Sequence, residues 1–402
     1  MKALFVGLGY IGLPSATIVA KKGIEVIGVD TNADLVAQIN SENFQTSEYQ
    51  LQDMLAEVVR NKKLIAKTTP EEADVFFIVV PTPINQENKP DISIVKEAIE
   101  SIIPFLKSGD LIIIESTVSQ STTSSMADLI FNKRPDLNDS VFISYCPERV
   151  LPGNIIDELE NNDRVVGGIN KESASRAKEF YSKFVKGSIH ETDSRTAELC
   201  KLTENAYRDV QIAFANELSI IANKSNVDIW ELIDLANKHP RINILNPGCG
   251  VGGHCIAVDP WFLISDFPEH TQLILTARER NLDKTKWCLN QIKYEIELFR
   301  SKHDRYPIIA CMGIAYKENS DDTRESPAKF IANELTLNSQ CEVLTCEPNL
   351  TQDDILELSN LDDVSKKADL ILWLVAHDEF VDFNQSAEIK EIDFCGLRLK
   401  SK

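Results

Sequence analysis

No apolar run of 18 residues occurs in this chain, which excludes a membrane-spanning helix. Positive charge is scarce: 42 Lys and Arg stand against 62 Asp and Glu, for a net charge of −20. An excess of that sign repels phosphate backbones and anionic lipid, so neither nucleic acid nor membrane insertion is expected. No CxxC pair is present, the nine cysteines are an odd number in no ladder spacing, and there are only six histidines. A disulfide framework and a zinc site are therefore not expected, no metal is assigned, and reduced thiols of a cytoplasmic protein are. The first residues form an apolar strand and lack the pattern of a secretory leader. Low-complexity segments are absent too.

What is present starts at residue 2. Lys2-Ala3-Leu4-Phe5-Val6 reads as a buried parallel strand, followed by Gly7-Leu8-Gly9-Tyr10-Ile11-Gly12. Glycines at this spacing give a tight turn, let backbone approach a pyrophosphate, and pack a helix closely on the strand. A helix over 13–22 then points its N-terminus at the phosphates. A second strand over 25–29 ends at Asp30, 18 residues after Gly12. That is close to the roughly 20 expected for the acid that binds a ribose, and an acid there favours NAD over NADP.

The strand-and-helix rhythm continues with strands over 74–80, 111–115 and 141–145. They end in Pro81-Thr82-Pro83, Ser116-Thr117 and Cys146-Pro147-Glu148-Arg149, and ligands bind at such carboxyl ends. From about 193 the pattern turns helical. One long helix is expected over 196–223, capped by Asp193 or Ser194, with others over 228–238 and 272–300. Lys201, Asn205 and Arg208 share one face of the long helix. Cys200, Leu202, Tyr207 and Val210 flank that stripe, so it is expected to be shielded from water. After Tyr306-Pro307 strands return over 308–312, 342–346 and 368–375, with a long polar loop at 316–327. The expected fold is α/β: two Rossmann-like domains with parallel sheets, 1–192 and 301–402, joined by an all-helical central domain, 193–300.

Between the helical segments lies Gly248-Cys249-Gly250-Val251-Gly252-Gly253-His254-Cys255-Ile256-Ala257-Val258-Asp259. Four glycines in six positions let backbone approach a ligand or take φ > 0. A thiol follows at once, and a carboxylate four residues later. Beside a nicotinamide fingerprint, this combination points to a covalent thiol adduct, which a plain alcohol dehydrogenase does not need.

Taken together, the chain resembles the UDP-glucose/GDP-mannose dehydrogenase family over essentially its whole length. The marks are Gly7-x-Gly9-x-x-Gly12, Val80-Pro81-Thr82-Pro83, Glu115-Ser116-Thr117, Cys146-Pro147-Glu148-Arg149, Lys201-Leu202-x-Glu204-Asn205, Gly252-Gly253-His254-Cys255-x-x-x-Asp259 and Asp322-x-Arg324-Glu325-Ser326. Stretches 163–168, 236–245 and 252–261 resemble the branch acting on UDP-N-acetyl-D-mannosamine. The UDP-glucose branch usually carries lysine directly before the aspartate that follows the nucleophile, and here Val258 stands there. Cys249 occupies a position where related sequences often have proline.

The resemblance implies a four-electron oxidation of a primary alcohol at C6 of a nucleotide sugar to the carboxylate, at the expense of two NAD+. Cys255 would form a thiohemiacetal and then a thioester. Lys201 and Asn205 would serve the hydroxyl proton and the oxyanion. Asp259 would order water and orient Lys201, and Glu148 would assist thioester hydrolysis. Pro81, Thr82, Thr117 and Arg324, with Gly7, Gly9, Tyr10, Ile11, Gly12 and Asp30, would bind NAD. Arg149, Val150, Arg208, His239, Arg241, Gly253, Tyr316 and Lys317, with Lys201 and Asn205, would bind the sugar nucleotide and supply a basic site on an acidic protein. The family also implies a homodimer through the long helix and a product used in surface polysaccharide. UDP-GlcNAc, UDP-GalNAc and UDP-glucose are the alternative sugars. A sensor that binds NAD and UDP-sugar without chemistry is the alternative of another class, and the set Lys201, Asn205, Cys255 and Asp259 speaks against it.

Overall fold

The structure, a computed structural model, describes all residues except 43, 45, 47, 48, 151–153, 384–388, 401 and 402. It divides into two compact units, Met1–Glu204 with Trp261–Asp266, and Asn205–Pro260 with Phe267–Lys402. No described helix is long and apolar enough to cross a membrane.

The first unit is built on strands β1 (Lys2–Val6), β2 (Glu25–Val29), β3 (Leu64–Lys67), β4 (Val75–Ile78), β5 (Leu111–Ile114), β6 (Phe142–Tyr145), β7 (Arg164–Gly168) and β8 (Ile189–Asp193). Their order in the sheet is β3-β2-β1-β4-β5-β6-β7-β8. The first six are mutually parallel, β7 pairs antiparallel with β6, and β8 runs parallel to β7. Strand order reverses between β1 and β4, and the crevice beyond their carboxyl ends is where such sheets take ligands. Successive residues alternate between two cores. Phe5, Phe77 and Ile113 face one, and Leu4, Phe76 and Ile112 face the other. Phe5 and Phe77 stack at 4.2 Å between ring centroids. Truncating either to alanine should cost about 3–5 kcal/mol.

Strands β3, β7 and β8 lie outside the sequence expectation. Strand β8, Ile-His-Glu-Thr-Asp, is a largely exposed edge with no apolar run to announce it. Strand β7 begins on a buried arginine.

In the second unit the long helix, Ser194–Lys224, and the helix Gln272–His303 carry most of the helical mass. The long helix begins in the first unit, and Asp193 caps it: its carboxylate accepts Thr196 N at 3.1 Å and Thr196 Oγ1 at 2.6 Å. Strands β9 (Ile309–Met312), β10 (Val343–Cys346), β11 (Leu370–Trp373) and β12 (Lys390–Asp393) form an all-parallel sheet in the order β10-β9-β11-β12. Its switch point lies between β9 and β11. Strand β12 is a polar edge, again without an apolar run.

The expected shielding of the Lys201 stripe needs correction. Tyr207 is 63% exposed, and Arg208 is exposed as well. Tyr207 falls in line with Phe214 and Ile221 at seven-residue steps, forming a separate exposed apolar line about a third of a turn from the stripe.

Candidate active site

The first unit gathers its share of the site at the carboxyl ends of its parallel strands. Gly7 takes φ +97°, and a Cβ there would meet Val79 O at 2.2 Å. At Gly12 a Cβ would meet Gly7 O at 2.0 Å, so both glycines are required by the crossover itself. At Gly9 a Cβ meets nothing within 4 Å, which leaves that face of the loop open. Tyr10 and Ile11 complete the turn, and the helix Gly12–Lys21 starts there with its first amides directed at the loop. Asp30 follows β2; its Oδ2 accepts Leu8 N and its Oδ1 accepts Asn32 N, both at 2.9 Å. A carboxylate has about four acceptor positions, so Asp30 keeps capacity for a ribose diol. An open glycine loop, a helix N-terminus and that acid fit a dinucleotide. Pro81 and Thr82 follow β4, and Thr117 follows β5. Buried Ser116 links the two strand ends, accepting Val80 N at 2.9 Å and donating to Val80 O at 2.8 Å.

Glu148 follows β6 and is nearly buried, with 9% of its side chain exposed. Its carbonyl accepts Lys201 Nζ at 2.8 Å, which fixes where the amine lies in this unit. Its Oε1 accepts Arg149 N at 2.7 Å, and its Oε2 lies 3.0 Å from Arg164 Nη1. The Arg149 guanidinium is engaged internally, by Glu204 Oε1 at 2.8 Å and by the Asp163 carbonyl. Val150 packs on the core of this unit.

In the second unit the glycine loop is pinned at several points. Asn216 Oδ1 accepts Gly248 N at 2.9 Å, Thr285 Oγ1 donates to Cys249 O at 2.8 Å, and Gly253 N donates to Arg324 O at 3.0 Å. Gly253 has φ +80°, and a Cβ on it would strike the Tyr316 ring at 2.8 Å. Cys255 is half-buried, and its carbonyl accepts Val258 N and Asp259 N at the start of the helix Asp259–Asp266. Asp259 is buried, and its Oδ2 accepts Asn205 Nδ2 at 2.5 Å. Asn205 and Asp259, 54 positions apart, are thus brought together, a contact that the sequence did not indicate. Burial, the Asp322 carboxylate and nearby Cys255 push the Tyr316 phenol above its ordinary value. Lys317 Nζ lies 5.9 Å from the Tyr316 ring centroid. The Arg324 guanidinium forks onto Asp322, with Nε at 2.9 Å and Nη2 at 2.6 Å. His239 and Arg241 share an exposed turn in which His239 Nδ1 accepts Arg241 N at 3.3 Å.

Sequence reasoning missed a buried polar network behind the thiol loop. Arg278 Nη1 donates to Ile256 O at 3.3 Å and lies 3.2 Å from Asp209 Oδ1. Asn281 Nδ2 donates to Asp209 Oδ1 at 2.8 Å, and Asn216 Nδ2 donates to Asn281 Oδ1 at 2.9 Å. Burial pushes the Asp209 carboxyl up to about 6 against the pull of Arg278 and Asn281. Two long helices thereby fix the residue after Cys255 and the residue that opens the glycine run. The only sequence signal was a set of charged and amide residues at helical spacing, which a solvated face would also give.

Residues 1–185, 195–283 and 310–393 match, in turn, the NAD binding, central and UDP binding domains of the UDP-glucose/GDP-mannose dehydrogenase family. The chain is 46% identical over 391 residues to UDP-N-acetyl-D-mannosamine dehydrogenase of Salmonella typhi, covering 93% of both. It is 44% identical over 387 residues to NDP-N-acetyl-D-galactosaminuronic acid dehydrogenase of Ralstonia nicotianae, covering 93% of this chain and 90% of that one. The native structure of the UDP-N-acetyl-mannosamine dehydrogenase from Staphylococcus aureus superimposes with a TM-score of 0.89 at 40% identity, covering 99% and 95% of the two chains.

Proposed function

The chain belongs to the UDP-glucose/GDP-mannose dehydrogenase family, and from that premise we propose that it oxidises the C6 hydroxyl of UDP-N-acetyl-D-mannosamine to the carboxylate through a thioester on Cys255. The observation that carries the reading is the pinned glycine loop, which presents a half-buried thiol directly before a helix start and beside Tyr316 and Asp259. The similar enzyme from Salmonella typhi acts on this sugar by name, and Val258 supports the same branch.

NAD+, held by Gly7, Gly9, Tyr10, Ile11, Gly12, Asp30, Pro81, Thr82 and Thr117, supplies a two-electron acceptor for each oxidation. Lys201 takes the C6 hydroxyl proton, its amine being placed by the Glu148 carbonyl. The Cys255 thiolate adds to the aldehyde carbon and makes it tetrahedral, with a carbon–hydrogen bond able to break. Lys201 and Asn205 stabilise the oxyanion, and Asn205 is itself oriented by Asp259. After the second oxidation, water attacks the thioester; Asp259 orders that water and Glu148 assists, releasing the acid and the Cys255 thiolate. Arg149, Arg208, His239, Arg241, Tyr316 and Lys317 bind the diphosphate and sugar, with Val150 and Gly253 beside them. Arg324 contacts the cofactor.

Segments 1–192, 193–300 and 301–402 serve as cofactor, central and nucleotide-sugar domains. The exposed line Tyr207, Phe214 and Ile221 pairs two copies into a homodimer. The protein works in the cytoplasm and feeds a surface polysaccharide. A second reading keeps the chemistry and changes the sugar to UDP-GalNAc, favoured by the Ralstonia relative.

The test is NADH formed per UDP-N-acetyl-D-mannosamine consumed at completion with excess NAD+. Two per sugar is expected, and one would mean that the reaction stops at the aldehyde. Faster turnover of UDP-GalNAc, UDP-GlcNAc or UDP-glucose would reassign the sugar. Cys255→Ser should stall after at most one oxidation, and its full turnover would remove the covalent step.

A further inference from the structure

Behind Glu148 the first unit buries a charged group that the chemistry above does not use. Arg164 opens β7 with 5% of its side chain exposed. Its Nη1 lies 3.0 Å from Glu148 Oε2 and 3.9 Å from Glu115 Oε1, and its Nη2 donates to Leu159 O at 3.3 Å. The guanidinium sits 4.9 Å from the centroid of the Tyr181 ring. Glu115 is 2% exposed; its Oε1 accepts Tyr181 Oη at 2.6 Å, while its Oε2 has no hydrogen-bond partner among the described residues. Cys146 Sγ lies 3.9 Å from Arg164 Nη1, and burial pushes this thiol up to about 11. The groups facing Glu115 are therefore Arg164 from β7, Glu148 and Cys146 from the end of β6, and Tyr181 from the helix Lys171–Tyr181.

One cation is shared by two buried carboxylates. With both ionised the cluster carries an uncompensated negative charge, which burial penalises heavily. The lowest-energy composition keeps one carboxylate charged and one protonated. Glu148 is nearer the guanidinium and has a donor on each oxygen. Glu115 is farther away and has one oxygen unserved, so the proton belongs there. Burial, opposed by Arg164, reinforced by Glu148 and opposed by the Tyr181 hydroxyl, raises its carboxyl to about 7.

We propose that Arg164 and Glu115 are positioning residues for Glu148, and that the charge on Glu115 sets how strongly Glu148 acts as a base in thioester hydrolysis. The inference rests on the reading that Glu148 assists that hydrolysis. While Glu115 is protonated, the guanidinium serves Glu148 alone and holds it oriented. When Glu115 loses its proton, the guanidinium is shared and Glu148 becomes a stronger base. No group that touches substrate needs to titrate.

The experiment is the pH profile of kcat and of single-turnover thioester hydrolysis for the full-length enzyme and Glu115→Gln, which keeps the shape and the Tyr181 contact. In the wild type, hydrolysis should rise through pH about 7. In Glu115→Gln that inflexion should vanish, and the rate at high pH should drop about threefold to tenfold. The KM for the sugar should be unchanged. Tyr181→Phe removes the donor to the ionised form and should move the inflexion to higher pH. In the protein without substrate, an infrared carboxylic-acid band should titrate near pH 7 and be absent from Glu115→Gln. An inflexion kept by Glu115→Gln, or no such band, overturns the inference. If Glu148→Gln slows hydrolysis while Glu115→Gln keeps the wild-type profile, only this inference falls. If Glu148→Gln hydrolyses at the wild-type rate, the parent role of Glu148 falls with it.

Discussion

The two parallel sheets place a carboxylate at the same point and use it in opposite ways. Asp30, after β2, accepts Leu8 N from the loop that follows β1. Glu347, after β10, accepts Ile314 N at 2.7 Å and Ala315 N at 3.0 Å from the loop that follows β9. In the first sheet the loop is short, glycine-rich and open at Gly9, and Asp30 is half-buried. In the second sheet Glu347 has a fully buried side chain and is held by His377 Nε2 at 3.1 Å, while His377 Nδ1 accepts Asn319 N at 3.0 Å. The amides that could have met an anionic ligand there are occupied by the protein's own anion. The chain instead runs out into the loop carrying Tyr316, Lys317, Asp322 and Arg324. One topology thus yields a cradle in one sheet and a plugged switch point with a projecting loop in the other. The inserted buried acid–histidine pair makes that difference.

Breaking the crossovers should produce the largest effects. Gly12→Ala drives a methyl onto Gly7 O, and overpacking of about 3 kcal/mol corresponds to about a 100-fold loss of NAD affinity. Titration calorimetry with NAD reads this directly. Gly313→Ala meets Val375 Cβ at 2.5 Å at φ +88°, and should destabilise the second sheet by a similar amount. NAD affinity should then be spared and UDP binding lost. Equal loss of both ligands in either variant would show that the two crossovers are not independent.

Next in size is the buried plug. His377→Ala removes one hydrogen-bond donor from the buried Glu347 carboxylate, leaving the Ile314, Ala315 and Asn349 amides, and should cost about 1–3 kcal/mol. Hydrogen exchange at the Ile314 and Ala315 amides should accelerate, while exchange in β4 and β5 should not. The two units should also differ in pH dependence. Burial alone would raise the Glu347 carboxyl, but His377 and the Ile314 and Asn349 amides hold it below its ordinary value. A depressed carboxyl contributes stability above its unfolded value and loses it as pH falls through the folded one. Protection at Ile314 and Ala315 should therefore decline below pH about 4.5. Glu115 has the opposite sign. Raised from 4.5 to about 7, it holds a proton that the unfolded chain has released. Protection of β5 should fall as pH rises across that interval, and Glu115→Gln should abolish the fall. Parallel pH profiles in the two units would refute this contrast.

The cradle was legible in the sequence and the plug was not. Apolar runs such as Lys2–Val6 and Leu111–Ile114, the glycine spacing and Asp30 all act over short stretches, so chain order reveals them. The same holds for the Asp193 cap and the Lys201–Asn205 stripe. His377 and Glu347, Arg164 and Glu115, and Arg278 and Asp209 are 30 to 69 positions apart and meet only after folding. Each is a polar or charged residue, and such a residue in an unfolded string reads as surface. Strands β8 and β12 escaped for the converse reason, since edge strands bury little and need no apolar run.

The smallest expected effect tests the cradle most cleanly. Gly9 has open space where a Cβ would stand and no positive φ to favour glycine. Gly9→Ala should leave stability unchanged or raise it by up to about 1 kcal/mol, because alanine lowers the entropy of the unfolded chain. Thermal melting checks this, with Gly12→Ala as the contrast. Yet the second glycine of such a loop is the point where backbone approaches a pyrophosphate. A methyl there should weaken NAD by about tenfold, close to 1.4 kcal/mol. A stability loss would mean that Gly9 serves the fold, as Gly12 does. An unchanged melting curve with weakened NAD would mean that the space at Gly9 is kept for the ligand, which the second sheet, filled by Glu347, has no need to keep.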